Sequence, residues 1–211
     1  MENAVNGLWG KKIGMTQVFS EKNTVVPVTV IDIAHWYVTQ IKTLKKDGYG
    51  ALQLGCVKKK FSSEPFSVEW LSKPRKYFSD VREVAFDVQD DSQVTVGQPF
   101  DQLFNFAKGE LVNVAGTSRG LGFQGVVKRY GFSGGRASHG SKLGRFPGSL
   151  SFMRSEGRVI KGKKMPGRTG GVRVSMKNLE IVRVEPEARV MIIKGSVPGK
   201  IGSLVFVRKS R

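Results

Sequence analysis

The stretch Val25-Val26-Pro27-Val28-Thr29-Val30-Ile31-Asp32-Ile33 alternates almost strictly, with Val26, Val28 and Val30 set against Pro27 and Thr29, and Ile31 and Ile33 flanking Asp32. A period of two over β-branched residues predicts a half-buried strand. Upstream, Met15-Thr16-Gln17-Val18-Phe19 is a shorter alternating run, and Glu21-Lys22-Asn23-Thr24 supplies the turn between the two. Downstream, Trp36 to Leu44 is β-branched and aromatic, Lys45-Lys46-Asp47-Gly48 reads as a hairpin turn, and Tyr49 to Val57 continues the pattern. At the far end, Leu179 to Val184 and Arg189 to Lys194 flank Pro186 as another hairpin, and Leu204-Val205-Phe206-Val207 reads as a last strand. Many short strands separated by turn signals predict a mainly β fold, a barrel or a sandwich. One helix is expected: Ser62-Ser63-Glu64-Pro65 offers an N-cap and a first-turn proline, the run Phe66 to Leu71 follows, and Pro74 stops it. It would be a short surface helix in an insertion over 58–81.

The 211 residues allow one domain or two small ones, and a hydrophobic fraction of 39% is low without indicating wholesale disorder. The charge is the outlier. Thirty-five Lys and Arg against 17 Asp and Glu leave +18, which favours a polyanionic partner. A lone cysteine, Cys56, excludes an internal disulfide framework, and with only His35 and His139 beside it a Cys/His zinc site is out of reach. The start, Met1 to Gly7, has neither a basic nor an apolar leader region, so secretion is not expected. The longest apolar run, Val25 to Ala34, is broken by Pro27, Thr29 and Asp32 and falls short of the roughly 20 residues that span a bilayer. The chain reads as soluble and intracellular.

The positive charge is concentrated. From Gly116 to Ser175 there are 13 Lys and Arg and a single acid, Glu156, and the same 60 residues hold 15 of the 26 glycines. The apolar residues of this window, among them Phe123, Tyr130, Phe132, Phe146, Phe152 and Met153, follow neither a helical nor a strand period. Such a segment buries too little apolar surface to offset its ordering entropy, and it repels itself. The alternative is a solvated basic linker. Two details favour an arm shaped by nucleic acid. Its cations are interleaved with glycine and aromatics, which suits close approach to phosphates and stacking on unpaired bases, and strand-like sequence flanks it on both sides.

Catalytic readings are weaker. Ala115-Gly116-Thr117-Ser118-Arg119-Gly120-Leu121-Gly122 looks like the glycine-rich turn of short-chain dehydrogenases. Yet Phe123 to Phe132 carries Gly125 and Gly131 where a helix should run, no acid occurs from Phe123 to Ser155, and no Tyr is followed four residues later by Lys. His35 and His139 read as structural or nucleic-acid contacts. Asp90-Asp91 and Glu185/Glu187 read as solvated turns, and Cys56 as a small core residue. No catalytic residue, metal or cofactor is expected. A free nucleic-acid chaperone would share this composition.

Four ordered motifs carry a resemblance. Gly7-Leu8-Trp9-Gly10-Lys11-Lys12-Ile13-Gly14-Met15-Thr16-Gln17-Val18-Phe19 opens the chain. Gly116 to Gly125 runs on through Lys128-Arg129, Gly157-Arg158-Val159-Ile160-Lys161-Gly162-Lys163-Lys164-Met165-Pro166-Gly167 follows, and Lys194-Gly195-Ser196-Val197-Pro198-Gly199 comes last. Over nearly its full length the chain resembles bacterial-type large-subunit ribosomal protein L-three. The resemblance implies a translation-factor-like β-barrel over residues 1–115 and 176–211, with the small α-containing insertion at 58–81. A long, irregular basic extension over 116–175 would penetrate the large-subunit rRNA toward the peptidyl-transferase region. It implies direct rRNA binding early in assembly, neighbouring ribosomal proteins as partners, and no membrane or small-molecule substrate. The ribosome would be that of a bacterial cytoplasm, with an organellar one left open.

The residues expected to contact rRNA are Lys11, Lys12, Arg119, Lys128, Arg129, Arg136, His139, Lys142, Arg145, Arg154, Arg158, Lys161, Lys163, Lys164, Arg168 and Arg173. The chain departs from the family pattern at the arm's tip. Gly144-Arg145 stands where His-Arg is common, and Leu150 to Gly157 lacks the glutamine that is methylated in some bacteria.

Overall fold

A computed structural model describes residues 7–86, 94–100, 105–151 and 157–210. The described chain is mainly β, and its helices are single turns. The strands are β1 (Leu8–Phe19), β2 (Val25–Asp32), β3 (Trp36–Lys42), β4 (Ala51–Val57), β5 (Phe78–Ala85), β6 (Leu111–Thr117), β7 (Gly122–Gln124), β8 (Gly167–Thr169), β9 (Arg173–Glu185), β10 (Val190–Lys194) and β11 (Leu204–Lys209). The chain divides into two compact units, Met1–Thr117 with Arg173–Arg211, and Ser118–Val172.

In the first unit six strands close on themselves in the order β1-β11-β6-β9-β10-β2, every ladder antiparallel. Closure removes the exposed edges that short strands otherwise present. The interior is filled by Leu8, Ile31, Val112, Val114, Ile181, Met191, Ile193, Val205 and Val207, all inaccessible to solvent. Each such side chain contributes about 1.5–3 kcal/mol relative to leaving it in water.

Strands β3, β4 and β5 form a separate antiparallel sheet. Sequence alone merged β3 and β4 into the barrel. Its hairpin turn is one helical turn, α1 (Leu44–Asp47), ended by Gly48 at φ 80°. One face of this sheet, with Trp36, Val38, Leu54 and Cys56, joins the barrel core. The other face is covered by the 58–77 segment through a second cluster, where Val57, Trp70 and Phe78 pack with Tyr37, Phe61, Phe66 and Tyr77.

The helix expected after Ser62 is not there. The segment holds a 3-10 turn (Lys59–Phe61), then α2 (Glu69–Ser72) and α3 (Pro74–Tyr77), so Pro74 opens a helical turn instead of stopping one. Nor is it a surface helix, because Trp70 is 3% exposed. The need to lay Phe66, Trp70 and Tyr77 over the sheet overrides the local N-cap signal at Ser62, whose hydroxyl donates instead to the Lys59 carbonyl at 2.9 Å.

Polar contacts tie the sheet's outer face. Lys42 Nζ is 2.7 Å from Glu83 and donates to the Tyr49 hydroxyl, which donates to Glu83 at 3.0 Å. The Lys42 ammonium holds the Glu83 carboxyl below its usual range. Folding therefore lowers this pKa, so the contribution is whole above the unfolded value and is lost as pH falls through the folded one. Glu83→Gln is expected to flatten the fall in thermal midpoint between about pH 5 and pH 3, measured against the unaltered chain. Trp70→Ala is expected to cost about 3 kcal/mol or more in urea unfolding, because it leaves a large cavity under the 58–77 segment.

Candidate nucleic-acid interface

Strands β6 and β9 form the roots of the basic segment. Gly116 pairs with Val174 and Thr117 with Arg173, so the two strands run two and three residues into the segment expected to be irregular, 116–175. Beyond them, within Ser118–Val172, the two chain directions stay zipped. Ser118 N–H donates to Val172 O at 2.9 Å, Leu121 N–H to Thr169 O at 2.9 Å, and β7 pairs antiparallel with β8. Gly170, at φ 74°, lies so close to the Arg119 carbonyl that a Cβ there would overlap it. The glycine-rich run Gly116 to Gly122 thus leads from one antiparallel strand into another. The helix that follows, α4 (Val126–Tyr130), has five residues. This is no dinucleotide cradle, which needs a parallel strand–helix unit and a long helix N-terminus.

Inside this unit Val126 is the one fully buried side chain among the described residues. Arg129 acts as an internal strut. Its guanidinium is partly buried, donates to Met165 O at 2.7 Å and lies 4.9 Å from the Tyr130 ring, on whose ring Lys164 also sits at 5.7 Å. Gly167 leaves the room, since a Cβ there would come within 2.6 Å of Arg129 Nη1. Further out, Gly135 N–H donates to Gly144 O at 2.7 Å and closes the loop bearing Arg136, His139 and Lys142, with Arg145 directly after it.

Arg119, Lys128, Arg136, His139, Lys142, Arg145, Arg158, Lys161, Lys163, Lys164, Arg168 and Arg173 are all exposed. Apart from Arg158, which has a contact, none of these Lys and Arg side chains is ion-paired among the described residues. Arg154 lies outside the described residues, as do Phe152, Met153 and Glu156 at the tip and Asp90-Asp91. The rings of Phe123 and Phe146 are 76% and 70% exposed, free faces on which a base can stack.

Two expected contacts sit elsewhere. Lys12 is 7% exposed, and its Nζ donates to Val197 O at 2.8 Å and Gly199 O at 3.3 Å, so it clamps the Lys194–Gly199 turn inside the first unit. Lys11 donates to Ser79 Oγ at 2.8 Å and pairs with Asp80 at 3.3 Å. Burial pulls its pKa down, but Cys56 and Asp80 more than offset this and leave it raised. The lysine doublet is part of the scaffold.

On a cationic face of the first unit the sequence named Arg173 but passed over Lys177 and Arg208. Arg173, Lys177 and Arg208 surround a shallow hollow floored by Phe206, Ala115 and Ser175. A bulge aims Lys177 there. Lys177 and Asn178 together oppose Asn113, whose Oδ1 accepts the Asn178 N–H at 3.0 Å while Asn178 holds φ 55°.

A family model described as Ribosomal protein L3 matches residues 79–189. A protein of Syntrophotalea carbinolica named large ribosomal subunit protein uL3 is 45% identical over 97% of this chain and 98% of its own. Proteins of the same name from Shouchella clausii and Pelobacter propionicus are 44% and 43% identical, each over 97% of both chains. The chain therefore belongs to the ribosomal protein L3 family, and with that family it is a structural protein and not an enzyme.

Proposed function

We propose that the protein is a structural constituent of the large ribosomal subunit that binds large-subunit rRNA directly and early in assembly. In this reading the six-stranded unit is the family's translation-factor-like barrel and sits against neighbouring ribosomal proteins. Residues 116–175 are its extended, rRNA-penetrating loop, reaching toward the peptidyl-transferase region, in the cytoplasm of a bacterium. One observation carries the reading: among the described residues of the glycine-rich Ser118–Val172 unit, one side chain is fully buried while ten Lys and Arg are exposed, and the unit's sequence holds a single acid, Glu156.

The division of labour follows from the chemistry of each side chain. The arginines can bridge two phosphate oxygens with a planar fork, while Lys161, Lys163 and Lys164 act as point charges. Glycine lets the backbone approach phosphates without a Cβ, and Phe123 and Phe146 stack on or wedge against exposed bases. Arg129 organises the unit from within, which leaves Lys128 beside it to face outward.

Binding of this kind is salt-dependent, with a log–log slope of about −0.7 to −0.9 per phosphate engaged. Lys163→Glu with Lys164→Glu is expected to weaken binding to a large-subunit rRNA transcript and make the slope shallower by about 1.5. Both side chains are exposed, so the thermal midpoint is expected to stay unchanged. A slope near zero for the unaltered chain, or a loss of thermal stability in the variant, would overturn the assignment.

A further inference from the structure

The 58–77 segment brings together two basic runs that are far apart in sequence, Lys58-Lys59-Lys60 and Lys73-Pro74-Arg75-Lys76. Lys58 is the clasp. Its N–H donates to Tyr77 O at 2.9 Å, and its Nζ donates to the carbonyls of Arg75 at 2.7 Å and Lys76 at 2.9 Å. A layered aromatic stack lies beneath. Trp70 stacks on Tyr77 at 5.5 Å, and Phe61 leans on Tyr77 at 5.0 Å. Lys60 Nζ stands 5.8 Å from the Phe61 ring, and Lys76 Nζ stands 4.8 Å from the Tyr77 ring. The ammonium groups are thereby held over a rigid floor.

Lys59, Lys60, Lys73, Arg75 and Lys76 are all exposed, and none is ion-paired among the described residues. The only acids of the segment, Glu64 and Glu69, are exposed and equally unpaired. Folding requires none of this crowding, because Lys58 alone makes the backbone clasp and the aromatic cluster supplies the packing. Like charges crowded into one short segment destabilise the free protein and are relieved by a polyanion.

We propose that this platform is a second phosphate-docking surface for rRNA, built into the first unit and independent of the arm. It rests on the ribosomal reading above but not on the arm's role in it. RNA fits better than an acidic protein. Four of the five free cations are lysine, a residue depleted in protein–protein interfaces, whereas compact ammonium groups on flexible stems suit phosphates along a backbone. The rings of Phe61 and Tyr77 are engaged with each other, so the contact is with the backbone and carries no base preference. Two such surfaces on one chain make its binding bivalent, the second contact forming at the effective concentration set by the first.

The test uses the full chain and a transcript of the complete large-subunit rRNA. Lys60→Glu with Lys76→Glu is compared with the arm pair Lys163→Glu with Lys164→Glu, and with all four changes together. The platform pair is expected to make the salt slope shallower by about 1.5, to lower affinity in the four-fold variant beyond either pair alone, and to leave the thermal midpoint unchanged. If the platform pair binds with unaltered affinity and slope while the arm pair is impaired, the platform proposal fails and the arm reading stands. If only the platform pair is impaired, the arm reading fails instead. Unaltered RNA binding with reduced incorporation into subunits would assign the surface to a protein neighbour and overturn the proposal. Should the reversals unfold the segment, lysine acetylation of the unaltered chain decides: rRNA must protect Lys59, Lys60, Lys73 and Lys76, and equal labelling with and without rRNA contradicts it.

Discussion

Thirteen basic residues and one acid within 60 positions, separated by 15 glycines, have little apolar surface to bury against one another. Each approach of two cations costs Coulomb energy, each glycine adds backbone entropy to be lost, and there is too little apolar surface to offset either. Among its described residues Ser118–Val172 holds a zipped root, one five-residue helix, an arginine strut and a single buried valine. In the proposed function RNA supplies counter-charge as a fixed, dense array.

The barrel makes this tolerable. Both roots of the basic segment belong to neighbouring strands, β6 and β9, of a ring with no free edge, so the entropy of closing the long loop is met by a ladder that is stable on other grounds. The first and last sequence motifs meet where Lys12 clamps Val197 and Gly199, and the two middle motifs meet where Arg129 reaches Met165 over Gly167. Residues up to 187 positions apart are therefore pairs in space, and each pair joins a cation to backbone carbonyls.

Much of this was legible in the residues. The alternation at Val25–Ile33 and the turns at Lys45–Gly48 and Pro186 follow from local rules and correspond to structural features. What local rules missed was decided by distant packing. Trp70 and Tyr77 pull the 58–77 segment onto the β3-β4-β5 sheet, so the N-cap signal at Ser62 is overruled and Pro74 begins a turn. Lys11 and Lys12 read as phosphate ligands because they are basic and lie in a motif, but their partners, Asp80 and the carbonyls of Val197 and Gly199, are far along the chain. The face of Arg173, Lys177 and Arg208 depends on the register of three strands and on a bulge at Asn178, none of which a single sequence displays.

The claim beneath the whole account is that the scaffold orders itself whereas the basic segment is ordered by nucleic acid. Amide hydrogen exchange of the protein, free and bound to large-subunit rRNA, addresses it residue by residue. The account predicts slow exchange in β1, β2, β6 and β9 to β11 in both states. Over 118–151 and 157–172 it predicts fast exchange in the free protein and marked protection in the complex. Protection of those residues in the free protein equal to that of the barrel strands would contradict it.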